Sequence, residues 1–257
     1  MRAAAALARR ELVKFLRQPS RVVGAVAPPL LAWVLIGSGF GVSFRGPGSS
    51  EGYLSYFYPG TVVLVVLFAS IFSTISVIED RREGFLQGVL VSPARPSSIA
   101  LGKIFGGTIL GIVQGAAILL LAPAIGLPLF TPSMATAFGV LALVSFALTG
   151  LGFAIAWSLD STQGFHAIMN LFLIPMWLLS GAFFPASAAP VWLRAAIAVN
   201  PLTYGVAALR RGLTPEAAAN LPSFSTSLGV TVAFGIATLA LSAAIVSRFP
   251  AGPSRTK

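Results

Sequence analysis

The chain has 257 residues, 56% of them hydrophobic and 9% charged, against roughly 25% charged in ordinary soluble domains. So little polar surface excludes a soluble fold of this length, and the absence of Cys with a single His excludes disulfides and Cys/His zinc sites. The net charge of +10 comes from 17 Lys and Arg lying almost wholly in short segments between apolar runs, a topological pattern and not a nucleic-acid surface.

Taken in order, residues 1–21 carry Arg2, Arg9, Arg10, Lys14, Arg17 and Arg21. Over 7–17, Leu12, Phe15 and Leu16 share a face while the basic residues recur at helical spacing. The segment reads as an interfacial helix, or as a basic flank that fixes topology. An apolar run over 22–42 follows, long enough to span and so unlike a cleaved signal. Further spans are expected at 57–78, 104–126, 134–159, 165–184 (interrupted at Pro175) and 225–247, none with Lys, Arg, Asp or Glu in its interior. The fold class is therefore all-α and polytopic: one transmembrane domain over 1–257 with six helices crossing the bilayer. Thirteen Lys and Arg fall on the side holding both termini and the second-to-third connection, and four on the other. The positive-inside bias places both termini in the cytoplasm of a multi-pass inner-membrane protein.

Two connections exceed a turn. Segment 79–103 opens with Glu79, Asp80, Arg81, Arg82 and Glu83, continues with Phe85, Leu86, Val89 and Leu90 at helical spacing, and is stopped by Pro93 and Pro96. Ser97 and Ser98 are then placed to cap the next helix. A short amphipathic cytoplasmic helix follows, resting on lipid or docking a partner. Segment 185–224 has five prolines yet stays apolar, with Val191, Trp192, Leu193, Ile197 and Val199. A re-entrant or interfacial helix near 188–199 reconciles the two, with Trp192 at headgroup depth.

No source of energy is legible in the chain. Its Gly102-Lys103 pair is followed by Ile104 and has Ser97 where a phosphate loop needs its first glycine. The seven acidic residues, Glu11, Glu51, Glu79, Asp80, Glu83, Asp160 and Glu216, fall at span ends or in connections, where ion coupling is not expected. Asp160 and His166 suggest either a proton relay or, more simply, a helix cap beside an interfacial His. On the fifth span His166, Asn170, Leu173 and Trp177 follow steps of four, three and four. An Asn in hydrocarbon wants a partner, so this face either lines a substrate pathway or ties helices of one subunit together.

The run Glu79 through Leu90, Ser92, Pro93, Ser97 and Ser98 resembles the first cytoplasmic connection of the ABC type-2 exporter permeases, particularly their bacterial drug- and lipid-export branch. Leu179-Ser180-Gly181-Ala182-Phe183-Phe184-Pro185, Trp192 and Asn200-Pro201-Leu202-Thr203-Tyr204 are similar to the end of that family's fifth span and its external re-entrant helices. The resemblance covers essentially the whole chain. It implies a transmembrane half-transporter that is itself no enzyme, with two permeases, a homodimer by expectation, each seated on an ABC-type ATPase subunit that binds ATP and Mg. It makes Arg81, Arg82, Glu83, Phe85, Leu86, Val89 and Leu90 the coupling helix and His166, Asn170 and Trp177 candidates for the pathway. The expected cargo is an amphiphile such as a drug, a lipid or a glycolipid. The alternatives are a polysaccharide exporter of the same superfamily and an ion-coupled secondary carrier.

Overall fold

A computed structural model describes residues 2–40, 52–90, 96–214 and 221–248. It is built of helices: α1 (Arg2–Leu16), α2 (Pro19–Gly39), α3 (Tyr53–Thr74), α4 (Ser76–Arg82), α5 (Phe85–Leu90), α6 (Pro96–Leu119), α7 (Pro132–Trp157), α8 (Thr162–Trp177), α9 (Val191–Val199), α10 (Pro201–Leu213) and α11 (Phe224–Arg248). Short 3-10 turns follow α6 and precede α9, and a π-turn over Leu178–Ala182 closes α8. Six of the helices are long and apolar enough to cross a membrane.

The starts of these helices follow from local chemistry. Pro19, Pro132 and Pro201 stand in the first turn of α2, α7 and α10, where no backbone N–H is needed and the fixed φ is already helical. Thr131 Oγ1 accepts from Met134 N at 3.2 Å to cap α7. Ser161 Oγ accepts from Gly164 N at 3.3 Å to cap α8. The cap of α8 is thus Ser161 and not Asp160, which is engaged elsewhere. At α6 the expectation of a serine cap also gives way, because the helix starts at Pro96 itself. The third span accordingly begins about two turns earlier than expected and ends at Leu119, before a 3-10 turn over Ala122–Ile125.

α3 is buried nearly all round, as a helix apolar on every side must be. α2, α6 and α7 pack most closely about it, with smaller contacts from α8 and α10, while α2, α8 and α11 leave Leu31, Leu35, Leu171, Phe172 and Ile236 exposed on their outer faces. Hydroxyls stitch the inner helices together, since in lipid a polar group finds its partner on a neighbouring helix or its own backbone. Ser145 Oγ donates to Thr108 O at 2.9 Å, and Ser242 Oγ to Gly150 O at 3.0 Å. Between α8 and α11 the chain does more than form one interfacial helix. α9 leaves Trp192 exposed, and Asn200 then caps α10, accepting from Leu202 N at 3.0 Å while its Nδ2 donates to Met176 O at 2.6 Å. α10, which begins at the Asn200-Pro201 pair that carries part of the resemblance, is buried along most of its length.

Candidate functional site

At one end of the bundle α1 lies against α6. The contact is close because Gly102 and Gly106 stand one turn apart on α6. A Cβ on Gly102 would meet Leu7 Cβ at 2.7 Å, and one on Gly106 would meet Glu11 Cβ at 3.0 Å. Leu7, Glu11 and Phe15 form the buried stripe of α1, whereas Leu16, expected on the apolar face, is exposed.

Burial of Glu11 is tolerated because its charge is matched. Lys103 Nζ donates to Glu11 Oε1 at 2.6 Å, to Ser76 Oγ at 3.1 Å and to Asp80. Ser76 Oγ approaches Glu11 Oε2 at 2.6 Å. Arg10 grips Asp80 with both terminal nitrogens, at 2.8 and 2.9 Å, and Lys14 adds a third cation at 3.1 Å. Lys14 also reaches Glu79 at 3.3 Å, and Glu79 binds Arg21 at the start of α2. Side-chain accessibility is 0% for Asp80, 3% for Lys103 and 5% for Glu11. The spans are free of charge across their middles as expected, but their helices continue and bring Asp80 and Lys103 into this buried cluster. Removing one member of such a network strands a charge, at a cost of about 3–5 kcal/mol.

The cluster holds an elbow. α4 continues the line of α3, and Gly84, at φ 77°, takes the left-handed conformation that stops it and starts α5. Arg10 lies 3.6 Å over the ring of Phe85, Leu86 is buried, and Val89 is half-buried against the core. On the opposite flank Arg81 donates to Leu159 O at 3.0 Å, Trp157 O at 2.6 Å and Asp160 Oδ1 at 2.8 Å. Arg82 donates to Asp160 O at 2.8 and 3.0 Å. Arg81 and Arg82 therefore bind the α7–α8 turn, while Glu83, Gln87 and Gly88 form the exposed edge. Leu90 belongs to α5, its side chain lying outside the described residues together with Ser92 and Pro93.

The three pathway candidates do not share one surface. α8 buries Phe165, Met169, Leu173 and Trp177 at steps of four. Trp177 Nε1 donates to Gly60 O at 2.8 Å, so it joins α8 to α3. Asn170 is exposed beside Leu171 and Phe172. His166 sits 6.1 Å from the rings of both Phe72 and Phe165, while the Asp160 carboxylate accepts from Arg81.

At the other end of the bundle stands a residue that sequence reasoning counted as a loop charge. Arg210 of α10 is 5% exposed and lies 4.0 Å over the Tyr56 ring. It donates to Tyr56 O at 3.1 Å and to Gly181 O at 3.2 Å. Gly181, at φ 74°, ends the π-turn, and Tyr56 Oη donates to the same carbonyl at 3.0 Å. A cation at a helix C-terminus complements the dipole there. The signal was present as Arg210 falling within an otherwise apolar, Gly-containing run downstream of the Asn200-Pro201 pair, but nothing local announces that the helix buries its arginine.

Six apolar helices with a charged elbow at one end and a broken pair of short helices at the other define a multi-pass helical membrane protein of the transport class. The chain belongs to the ABC-2 type transporter family, whose sequence profile matches residues 2–214. It is 30% identical over 208 residues to the transport permease ycf38 of Cyanophora paradoxa, covering 79% of this chain and 71% of that one. It is 28% identical over 191 residues to nodulation protein J of Rhizobium leguminosarum bv. trifolii, covering 74% and 72%. The daunorubicin resistance ABC transporter permease protein of Streptomyces coeruleorubidus is 21% identical over 208 residues, covering 78% and 71%. The chain is thus a transmembrane subunit of an ABC transporter.

Proposed function

We propose that this chain is the permease half of an ATP-driven exporter of amphiphilic cargo, powered by a separate ATPase. Two permeases, each on its own ATPase subunit, form the working unit in the inner membrane, with both termini in the cytoplasm. The carrying observation is the elbow. The elbow presents Glu83 and Gln87 outward while it is anchored on two flanks, to α1 through Arg10 and Phe85 and to the α7–α8 turn through Arg81 and Arg82. A push delivered at α5 by ATP-driven closure of the ATPase pair is therefore passed to α3, α7 and α8 together. The phosphate loop missing from this sequence supports a fuel site on another chain. Cargo enters through the family relatives: one match is named for daunorubicin resistance, which supports an amphiphile, and the apolar spans agree.

The test is co-expression with an ABC-type ATP-binding subunit, sought in the neighbouring open reading frame, followed by reconstitution in liposomes. The expected results are co-purification and ATP hydrolysis that rises when daunorubicin or a lipid cargo is added. Hydrolysis stimulated only by a polysaccharide would replace the cargo assignment. Cargo movement driven by a proton or sodium gradient without ATP would replace the permease reading with a secondary carrier.

A further inference from the structure

Where α1 turns into α2, six residues enclose an open groove of about 680 Å³: Arg9, Arg10, Val13, Lys14, Arg17 and Gln18. Four of them are cations. Arg10 and Lys14 turn inward to Asp80, but the Arg9 and Arg17 side chains are exposed and make no ion pair or hydrogen bond among the described residues. They stand on one line of the helix with Val13 between them, at steps of four. Gln18 contributes a buried side-chain oxygen that has no hydrogen-bond partner. Val13, Leu16 and Val23 leave apolar side chains exposed on the same stretch, immediately before the membrane-crossing part of α2.

We propose that this groove binds one anionic phospholipid of the leaflet flanking α1, with a hydroxyl-bearing headgroup of the phosphatidylglycerol type. The phosphate is the counter-charge that Arg9 and Arg17 lack, and guanidinium forks suit its oxygens. A headgroup hydroxyl donates to the unpartnered Gln18 oxygen. The acyl chains run along Val13, Leu16 and Val23. A choline headgroup brings a cation to a groove already lined by four and is disfavoured. Basic residues clustered on an amphipathic helix beside a span attract anionic lipid in general; here the apolar floor and the orphan acceptor give the site a shape. Because Arg10 and Lys14 face both the groove and Asp80, the bound lipid sits one side chain away from the elbow.

The experiment measures binding of short-chain fluorescent phosphatidylglycerol and phosphatidylcholine to the purified full chain in neutral-detergent micelles. Arg9→Gln/Arg17→Gln is the decisive variant, because neither side chain supports the fold. Phosphatidylglycerol should bind the wild type on the order of tenfold or more tighter than phosphatidylcholine, and the double variant should lose on the order of ten- to thirtyfold of that affinity. Gln18→Leu should weaken phosphatidylglycerol several-fold and leave phosphatidylcholine unchanged. Equal binding of the two lipids by the wild type overturns the proposal without any variant. So does unchanged affinity in the double variant, or displacement of the lipid by low-millimolar inorganic phosphate, which marks a site for free anions. Loss of ATPase co-purification in the double variant with lipid binding intact assigns the surface to a protein and equally overturns it.

Discussion

Glu11 of α1 and Lys103 of α6 meet at 2.6 Å with side chains no more than 5% accessible, 92 residues apart in the chain. Neither belongs to the middle of a span, yet Lys103, by binding both Glu11 and Asp80, ties α1 to the support of the elbow. Lys103→Met leaves Glu11 and Asp80 buried with one cation fewer. The expected loss is about 3–5 kcal/mol of stability, read by denaturant unfolding in micelles. Arg17→Met, at an exposed unpaired site, should stay within about 0.5 kcal/mol of wild type. Equal small effects of both would remove the cluster from any structural role.

The alkaline limb of stability tests the same cluster by titration. Hydrogen bonds from Arg10 to the Asp80 carboxylate hold its pKa above the ordinary arginine value. Burial opposes the charge of Lys14, but Asp80 and Glu79 outweigh it and raise its pKa above 10.5. A folded pKa raised above the unfolded one gives stabilisation that is fully present below the unfolded value and is lost as pH rises through the folded one. The stability difference between wild type and Lys14→Met should therefore stay constant up to pH 10.5 and shrink only beyond it. A difference that declines through neutral pH would contradict these ion pairs.

Within the elbow, two substitutions should separate packing from partner contact. Leu86→Ala empties a fully buried position and should cost about 2–5 kcal/mol, lowering the yield of folded permease. Glu83→Ala touches an exposed side chain and should leave stability within about 0.5 kcal/mol, while the ATPase recovered per folded permease falls. If Leu86→Ala weakens ATPase recovery without loss of stability, the side chain faces the partner and not the core.

Arg81 and Asp160 should not behave as equals. The Asp160 side chain is 82% accessible, and an exposed pair contributes only about 0–1 kcal/mol. Arg81 keeps the carbonyls of Trp157 and Leu159 when the carboxylate is gone. Asp160→Asn should therefore be close to silent. Arg81→Ala leaves Arg82 alone to hold the elbow to the α7–α8 turn and should leave ATPase bound but weaken the response of its hydrolysis to cargo. Identical phenotypes would mean that the salt bridge, and not the carbonyl contacts, transmits the motion.

On α8 the exposed and the buried candidates also separate. Trp177→Phe removes the bond to Gly60 O, worth about 1 kcal/mol, and should show first in stability. Asn170→Leu should not change stability at all. In this cysteine-free chain Asn170→Cys reports directly on a neighbour: if two permeases pair through this face, oxidation yields a disulfide-linked dimer on a denaturing gel. A monomer under conditions where transport is intact would move the pairing surface elsewhere.

The six spans were legible because each needs about 20 apolar residues and little else, and the elbow was legible because charges, helical spacing and prolines coincide there. The buried cluster was not, because its members are 92 and 23 residues apart and each looks, in sequence, like an ordinary charge near a span end. Pro96 was read as a helix stop when it is a helix start, and with α6 begun there Lys103 moves from a connection to a buried helical face. The pathway face on α8 was drawn through Asn170, whereas packing selected a stripe through Met169. A polar residue tolerated on an exposed face and one buried with a partner leave the same trace in sequence.

The distance between Glu11 and Lys103 also sets an order of events during synthesis. α1 leaves the ribosome carrying Glu11, whose partners Ser76 and Lys103 are made long afterwards, with two spans inserted before Lys103. Until the N-terminal half of α6 is in place, α1 has no groove of glycines to enter and no cation from α6 to meet its carboxylate. Its own basic and apolar side chains are of the kind that suit a membrane surface in the meantime. Docking of the first helix is then a late step of assembly, and it reports that the third span has been inserted in the correct direction. A chain whose third span is inverted carries Lys103 to the far side of the bilayer and leaves α1 undocked.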